Sequence, residues 1–205
     1  MTVLVAGTAV WFLLFREGGL IPDGEHPVAD FQFQFGKVGG SSVGEPAPED
    51  EIRRTAAGIR RTLDAMYLAG FLDPDKWEGG EFPEVLDAFA EGTRQQASRD
   101  IGNLSLGGDA PQIEFMDPAR SRLNVRILID AEGTPTGAVA DSHFSAKGQL
   151  KRGGPVFAIH DATYFLRPDG RRWLIVGYDV SGVVQPGSLP VSETGPTVGP
   201  TGEAT

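Results

Sequence analysis

Between Gly154 and Gly182 two runs rich in β-branched and aromatic residues flank Arg167-Pro168-Asp169-Gly170-Arg171, a connection with Pro and Asp-Gly turn chemistry. The pattern predicts a hairpin of two long strands. In the first run, alternation places His160 with Val156, Ala158, Tyr164 and Leu166, and Asp161 with Phe157, Ile159, Thr163 and Phe165. In the second, Leu174, Val176, Tyr178 and Val180 alternate with Trp173, Ile175 and Gly177, so both faces are apolar. That predicts a strand covered on both sides, hence central in its sheet. Upstream, Leu123, Val125, Ile127 and Ile129 alternate with Asn124, Arg126 and Asp130 as a half-buried antiparallel strand. After a turn, Ala138 to Leu150 returns with Ala140, Ser142, Phe144 and Ala146 on one side, and Ile113 to Met116 reads as a separate short strand.

The period changes nearer the N-terminus. Pro48-Glu49-Asp50-Glu51 puts Pro and acids at a helix start, where they suit the unpaired N–H groups and the dipole. Ile52, Ala56, Ile59, Leu63, Met66, Tyr67 and Gly70 then recur at three- and four-residue steps, predicting a long helix with one buried face. Arg53, Arg54, Arg60 and Arg61 read as its solvated side, and Asp73-Pro74 stops it. A second helix is predicted from Pro83 to before Gly102, with Val85, Leu86, Phe89 and Ala90 inward, followed by a loop to Pro111.

The two ends differ in character. Residues 1–15 include the uncharged apolar run 2–15, shorter than the ~20 residues of a spanning helix. They read as the end of a membrane anchor whose first residues precede this chain, with a buried element of the domain as the alternative. Residues 16–48 are Gly- and Pro-rich and read as a linker. Inside it Phe31, Phe33 and Phe35 alternate with Gln32 and Gln34, which predicts an added edge strand or, less simply, an aromatic patch for lipid or a partner. The domain is placed at 49–182. Residues 183–205, poor in large apolar side chains, read as a disordered tail.

A net charge of −10 without a basic stripe argues against nucleic-acid binding, and the absence of cysteine removes disulfides, thiolate metal sites and cysteine nucleophiles. Gly40-Ser41-Ser42-Val43-Gly44 matches G-x-S-x-G, and the order Ser42, Asp141, His160 would suit a hydrolase triad. Pro46 and Pro48 delay the helix that such an elbow requires at once, so a flexible linker is the better reading. Asp73, Asp75 and Glu84 fall at calcium-loop positions, but Trp77 and Glu78 stand where the loop needs a ligand and a glycine. His26, His143 and His160 show no zinc spacing. No metal or cofactor is expected. The candidates for general acid–base work are Asp141, His160, Asp161 and Tyr164, with His143, Tyr178 and Asp179 near them on neighbouring strands. A hydrogen-bonded polar layer in the core is the simpler alternative, and no catalytic residue is assigned.

The order of a long helix, a second helix and a meander ending in R-R-W-L-I-V-G-Y-D-V resembles the nuclear-transport-factor-2-like (cystatin-like) α+β fold over about residues 49–182. That resemblance implies N-terminal helices packed on a curved antiparallel sheet in a cone. Leu63-Asp64-Ala65-Met66-Tyr67 through Gly70-Phe71-Leu72-Asp73-Pro74, then Trp77 and Leu104-Ser105-Leu106-Gly107, is similar to actinobacterial membrane-anchored proteins of unknown function. This likeness implies a single N-terminal anchor and an extracytoplasmic domain. The superfamily holds ketosteroid isomerases and polyketide cyclases, with an Asp base and oxyanion donors in the cone, and also non-catalytic members. The expectation is a membrane-tethered, non-catalytic binding or scaffolding domain for an envelope protein, as monomer or homodimer. Its rival is a cone-pocket enzyme or a binder of a small apolar ligand.

Overall fold

The computed structural model describes residues 31–42, 47–77 and 80–186. The proposed anchor, most of the linker, Glu78 and the tail beyond Pro186 lie outside these residues. Among the described residues no helix is long and apolar enough to cross a membrane.

The architecture is α+β. A five-stranded sheet runs in the order β1 (Gln34–Ser42), β2 (Ile113–Ile129), β3 (Pro135–Leu150), β4 (Pro155–Asp169) and β5 (Arg172–Pro186). Strands β2 to β5 form the antiparallel meander that alternation predicts. The sheet as a whole is mixed rather than antiparallel, because β1 joins β2 in parallel. The Phe-x-Phe-x-Phe island leads into this edge strand. Phe33 is fully buried, whereas Phe35 is exposed, with the guanidinium of Arg60 5.0 Å from its ring centre. Gly40 to Ser42 of the G-x-S-x-G match end the strand, while Val43 and Gly44 lie outside the described residues.

Strand β5 is an edge, not the centre. The reason is a bulge at Val176: Phe165 pairs with Gly177 and Leu166 with Ile175. One extra residue reverses the parity of the strand. Trp173 and Ile175 point into the core before the bulge, and Tyr178, Val180 and Val184 pack against it afterwards. Apolar residues on both sides of the sequence pattern therefore describe one buried face, read in two registers. The strand also continues past the expected boundary at Gly182, to Pro186. Likewise β2 is one strand of 17 residues, not a short strand followed by a longer one.

Helix α1 (Glu49–Tyr67) begins with Glu49, Asp50 and Glu51 in its first turn and buries Ala56, Ile59, Leu63, Met66 and Tyr67 as the periodicity requires. Arg53 and Arg54 ride its wet side and pair with Glu49 and Glu51. Its end widens into a π turn, Leu68–Leu72. There Gly70 is buried, and its carbonyl accepts a hydrogen bond from Leu106 N–H at 3.0 Å. A Cβ at Gly70 would stand 3.1 Å from the Leu104 carbonyl oxygen, which explains glycine at this close approach.

The second helix is broken into α2 (Pro83–Leu86), α3 (Glu91–Arg99) and α4 (Ile101–Leu104). Between α2 and α3 the backbone turns outward to the sheet. Ala90 N–H donates to the Ile175 carbonyl and Ile175 N–H to the Ala88 carbonyl, both at 2.9 Å. This short parallel bridge takes up backbone groups that a continuous helix would have used internally. The helices pack on one face of the sheet around a single apolar core, in which each fully buried Phe, Leu or Ile contributes about 2 kcal/mol.

The close packing of β2 on β3 yields a direct test. A Cβ at Gly148 would fall on the Phe115 carbonyl oxygen and the Met116 sulfur, whereas Gly92 has nothing within 4 Å. Gly148→Ala is expected to lower unfolding free energy by about 3 kcal/mol in urea titration. Gly92→Ala is expected to be neutral or stabilising by about 0.5 kcal/mol.

Candidate functional site

The inward alternation of β4 carries His160 and Tyr164 under the sheet, and that of β3 carries Ser142 beside them. The last residue of α1, Tyr67, reaches all three. Its hydroxyl lies 2.7 Å from His160 Nδ1, 2.9 Å from Ser142 Oγ and 3.3 Å from Tyr164 Oη. On its other side, His160 Nε2 lies 2.8 Å from the carbonyl oxygen of Asn103 in α4.

The donors and acceptors of this group can be assigned consistently. A carbonyl only accepts, so His160 donates from Nε2 to Asn103. Burial holds the imidazole down at about 4, partly offset by the Asn103 bond, so the ring is neutral at pH 7 and Nδ1 accepts. Tyr67 therefore donates to His160. Tyr164 donates to the Tyr67 oxygen, and Ser142 does the same, with the Ala162 carbonyl at 3.3 Å as a second acceptor. Burial pushes both phenols well above their usual range, which keeps them protonated. No polar hydrogen in the group is left over for a substrate.

Rings close the space around it. Phe33 meets Tyr67 edge-on at 4.7 Å, Phe144 lies 5.0 Å from Tyr67, and Phe71 lies 5.1 Å from His160. A cleft of about 210 Å³ reaches this group from outside, between Asn103, Leu106 and the Gly182 end of β5. Gly182 is needed there, since a Cβ would stand 3.0 Å from His160 Cδ2.

The other candidates fall on the opposite face of the sheet. Asp161 Oδ1 is 2.6 Å from His143 Nδ1, and Thr163 Oγ1 donates to Asp141 Oδ1 at 2.8 Å. These are exposed cross-strand pairs, worth little each. Asp179 belongs to the same wet face, while Tyr178 donates to Asp100 Oδ2 at 2.7 Å on the helix side. His160 and Tyr164 are thus brought together, and Asp141 and Asp161 are kept away from them. Asp73 caps the next turn by accepting from Asp75 N–H, and Glu84 is bonded to Lys76, so two of the three acids of the calcium-like spacing have structural partners. Among the described residues no cluster of His, Asp or Glu is arranged to hold a metal ion.

Tyr67 is the residue that sequence reasoning passed over, because a tyrosine at the end of an apolar helical stripe reads as core. The signal for it was Ser142: a polar residue on the apolar face of β3, matched by His160 on the same face of β4, calls for a shared partner. Asp64 was missed as well. Its Oδ1 accepts from Phe33 N–H at 2.8 Å, and its Oδ2 lies 3.7 Å from Arg60 Nε. Burial raises this carboxyl to about 6 despite both contacts. No protein-family model, curated protein or solved structure matches the chain.

Two measurements check the network. Tyr67→Phe leaves His160 Nδ1 and the Tyr164 hydroxyl unpaired, so thermal unfolding should report a loss of about 3 kcal/mol. Adding Tyr164→Phe removes one orphaned donor and should recover part of that loss.

The second is a pH profile. The folded value of His160, about 4, lies below the 6.5 of a free imidazole, so the unfolded chain takes up the proton first as pH falls. Stability from His160 is lost across that interval, on the order of 3 kcal/mol. Asp64 acts in the opposite sense: its folded value of about 6 exceeds 3.8, so the folded state protonates first and gains stability as pH falls. Asp64→Asn should therefore steepen the acid loss seen by urea unfolding between pH 4 and 6.5.

Proposed function

We propose that this chain is a non-catalytic binding or scaffolding domain of the nuclear-transport-factor-2-like kind, related to actinobacterial membrane-anchored proteins. It is held to the membrane by residues 1–15 and works outside the cytoplasm on an envelope protein. The observation that carries the non-catalytic part is the closed proton accounting around Tyr67. His160 is bonded at both nitrogens, and the carboxylates that could have served it lie on the other face of the sheet. Acid–base work would need several groups converging on one open space. The tether and the extracytoplasmic placement rest on the apolar run 2–15 and on the likeness drawn from the sequence.

A second reading rests on the cleft beside His160, lined by Phe71, Leu106 and Val184 together with the polar Asn103, Ser105 and Asp109. There a small apolar ligand would lie against the edge of the imidazole, as in a cone-pocket isomerase or cyclase.

Native mass spectrometry of the full chain separates the two. The scaffolding reading expects no retained small molecule and reports whether the chain is a monomer or a homodimer; a retained apolar ligand, lost in Gly182→Val, would favour the pocket. In cells, the full chain should partition with membranes and a chain beginning at Asp30 should not. Equal partition of both would remove the tether.

A further inference from the structure

The geometry points to a binding site for a small organic oxyanion in the cleft between α1, α2 and the β4–β5 turn, with Arg61 and Arg171 as its anion-holding groups. The site lies apart from the Tyr67 network and extends the binding reading with a ligand class of its own. The cleft has a volume of about 370 Å³ and brings together Arg61, Arg171 and Arg172 in a chain whose net charge is −10.

Arg61 and Arg171 are two of several arginines without a carboxylate or hydrogen-bonded partner among the described residues, and they are the two that share this cleft. Elsewhere on the helices, Arg53, Arg54 and Arg60 of α1 and Arg94 of α3 each lie within 4 Å of a carboxylate oxygen. The two acids that border the cleft are already engaged by cations. Glu84 pairs with Lys76 at 3.1 Å, and Asp87 with Arg94 at 3.7 Å. Arg172 is held by the Asp87 carbonyl at 3.0 Å. Arg61 and Arg171 have no carboxylate or hydrogen-bond acceptor among the described residues. Two guanidinium groups thus line one cleft with their donors unspent, the chemistry that suits a phosphate or carboxylate.

The walls restrict the rest of the ligand. Thr62 cannot help as a donor, since its hydroxyl is committed to the Trp173 carbonyl at 2.9 Å. Ala65, Met66 and Ala88 supply an apolar floor beside the charges. Gly58 opens the wall: a Cβ there would stand 3.2 Å from Trp173 Cδ1 and 3.9 Å from Arg61 Nη2. The fitting ligand is a phosphate ester or carboxylate with a short apolar body. A free metabolite and the headgroup of an anionic lipid share that chemistry.

The test follows the intrinsic fluorescence of the full chain, with Trp173 beside the cleft as reporter, during titration with phenyl phosphate and with inorganic phosphate. Phenyl phosphate should saturate the signal and bind at least about tenfold tighter than inorganic phosphate, which lacks a body for the apolar floor. Arg61→Gln/Arg171→Gln should weaken it by about tenfold or more, with circular dichroism unchanged. Arg53→Gln/Arg54→Gln removes the same charge from paired positions of α1 and should leave binding as it was. Vesicles containing a phosphatidic-acid-type lipid form the second arm. Arginine-dependent binding to vesicles alone assigns the oxyanion to a lipid, and to phenyl phosphate alone assigns it to a soluble compound. Absence of saturable binding in both arms overturns the site. Equal weakening by the two double variants overturns it too, because net charge alone would then account for the effect.

Discussion

One phenolic oxygen sets the relation between the helical layer and the sheet. The Tyr67 hydroxyl is where α1, β3 and β4 meet, and through His160 it reaches the backbone of α4. An apolar core tolerates small slides of a helix across a sheet, because contact with one methyl group is much like contact with the next. Three directional bonds at one oxygen, with a fourth across the imidazole, do not tolerate them. Burial of the apolar core, Leu63, Met66 and Phe144 included, supplies most of the stabilisation, while the buried tyrosine decides which single arrangement receives it. Its proton goes to a histidine kept neutral by that same burial, so the arrangement is coupled to the protonation of one ring.

Much of this was legible where contacts are local. Strand β4 keeps a strict two-residue period, so the separation of His160 and Asp161 onto opposite faces follows from spacing alone. The buried stripe of α1 follows in the same way from its period. Legibility fails where a distant partner intervenes. The Val176 bulge turns one buried face into an apparently two-faced pattern, so an edge strand reads as a central one. The helix after Pro83 has a sound local pattern, and only the Ile175 backbone, far along the chain, breaks it. Tyr67 could be placed in the core from its position, but its role depends on two strands that the helix sequence knows nothing of.

Missing side chains matter as much as those present. Gly70 lets the π turn reach the Leu104 carbonyl, and Gly182 makes room for the imidazole. Both clearances serve the segment around Asn103, which is pressed between α1's end and β5. That segment has only one short helical turn of its own, so its position is set by what surrounds it. The acceptor that orients His160 is therefore held by packing against two glycines rather than by local secondary structure.

The parallel attachment of β1 has a consequence for the order in which a ribosome delivers this chain. Lys37 N–H bonds to Asn124, 87 residues further along. At about 5–20 residues per second, β1 leaves the ribosome on the order of ten seconds before its partner strand exists. Over that interval Phe31, Phe33 and Phe35 are an unpaired aromatic segment, with α1 already available to cover them. The Asp64 clip to Phe33 spans only 31 residues, so it can close first. The nascent segment can then be sheltered on its own helix until the sheet arrives to claim it.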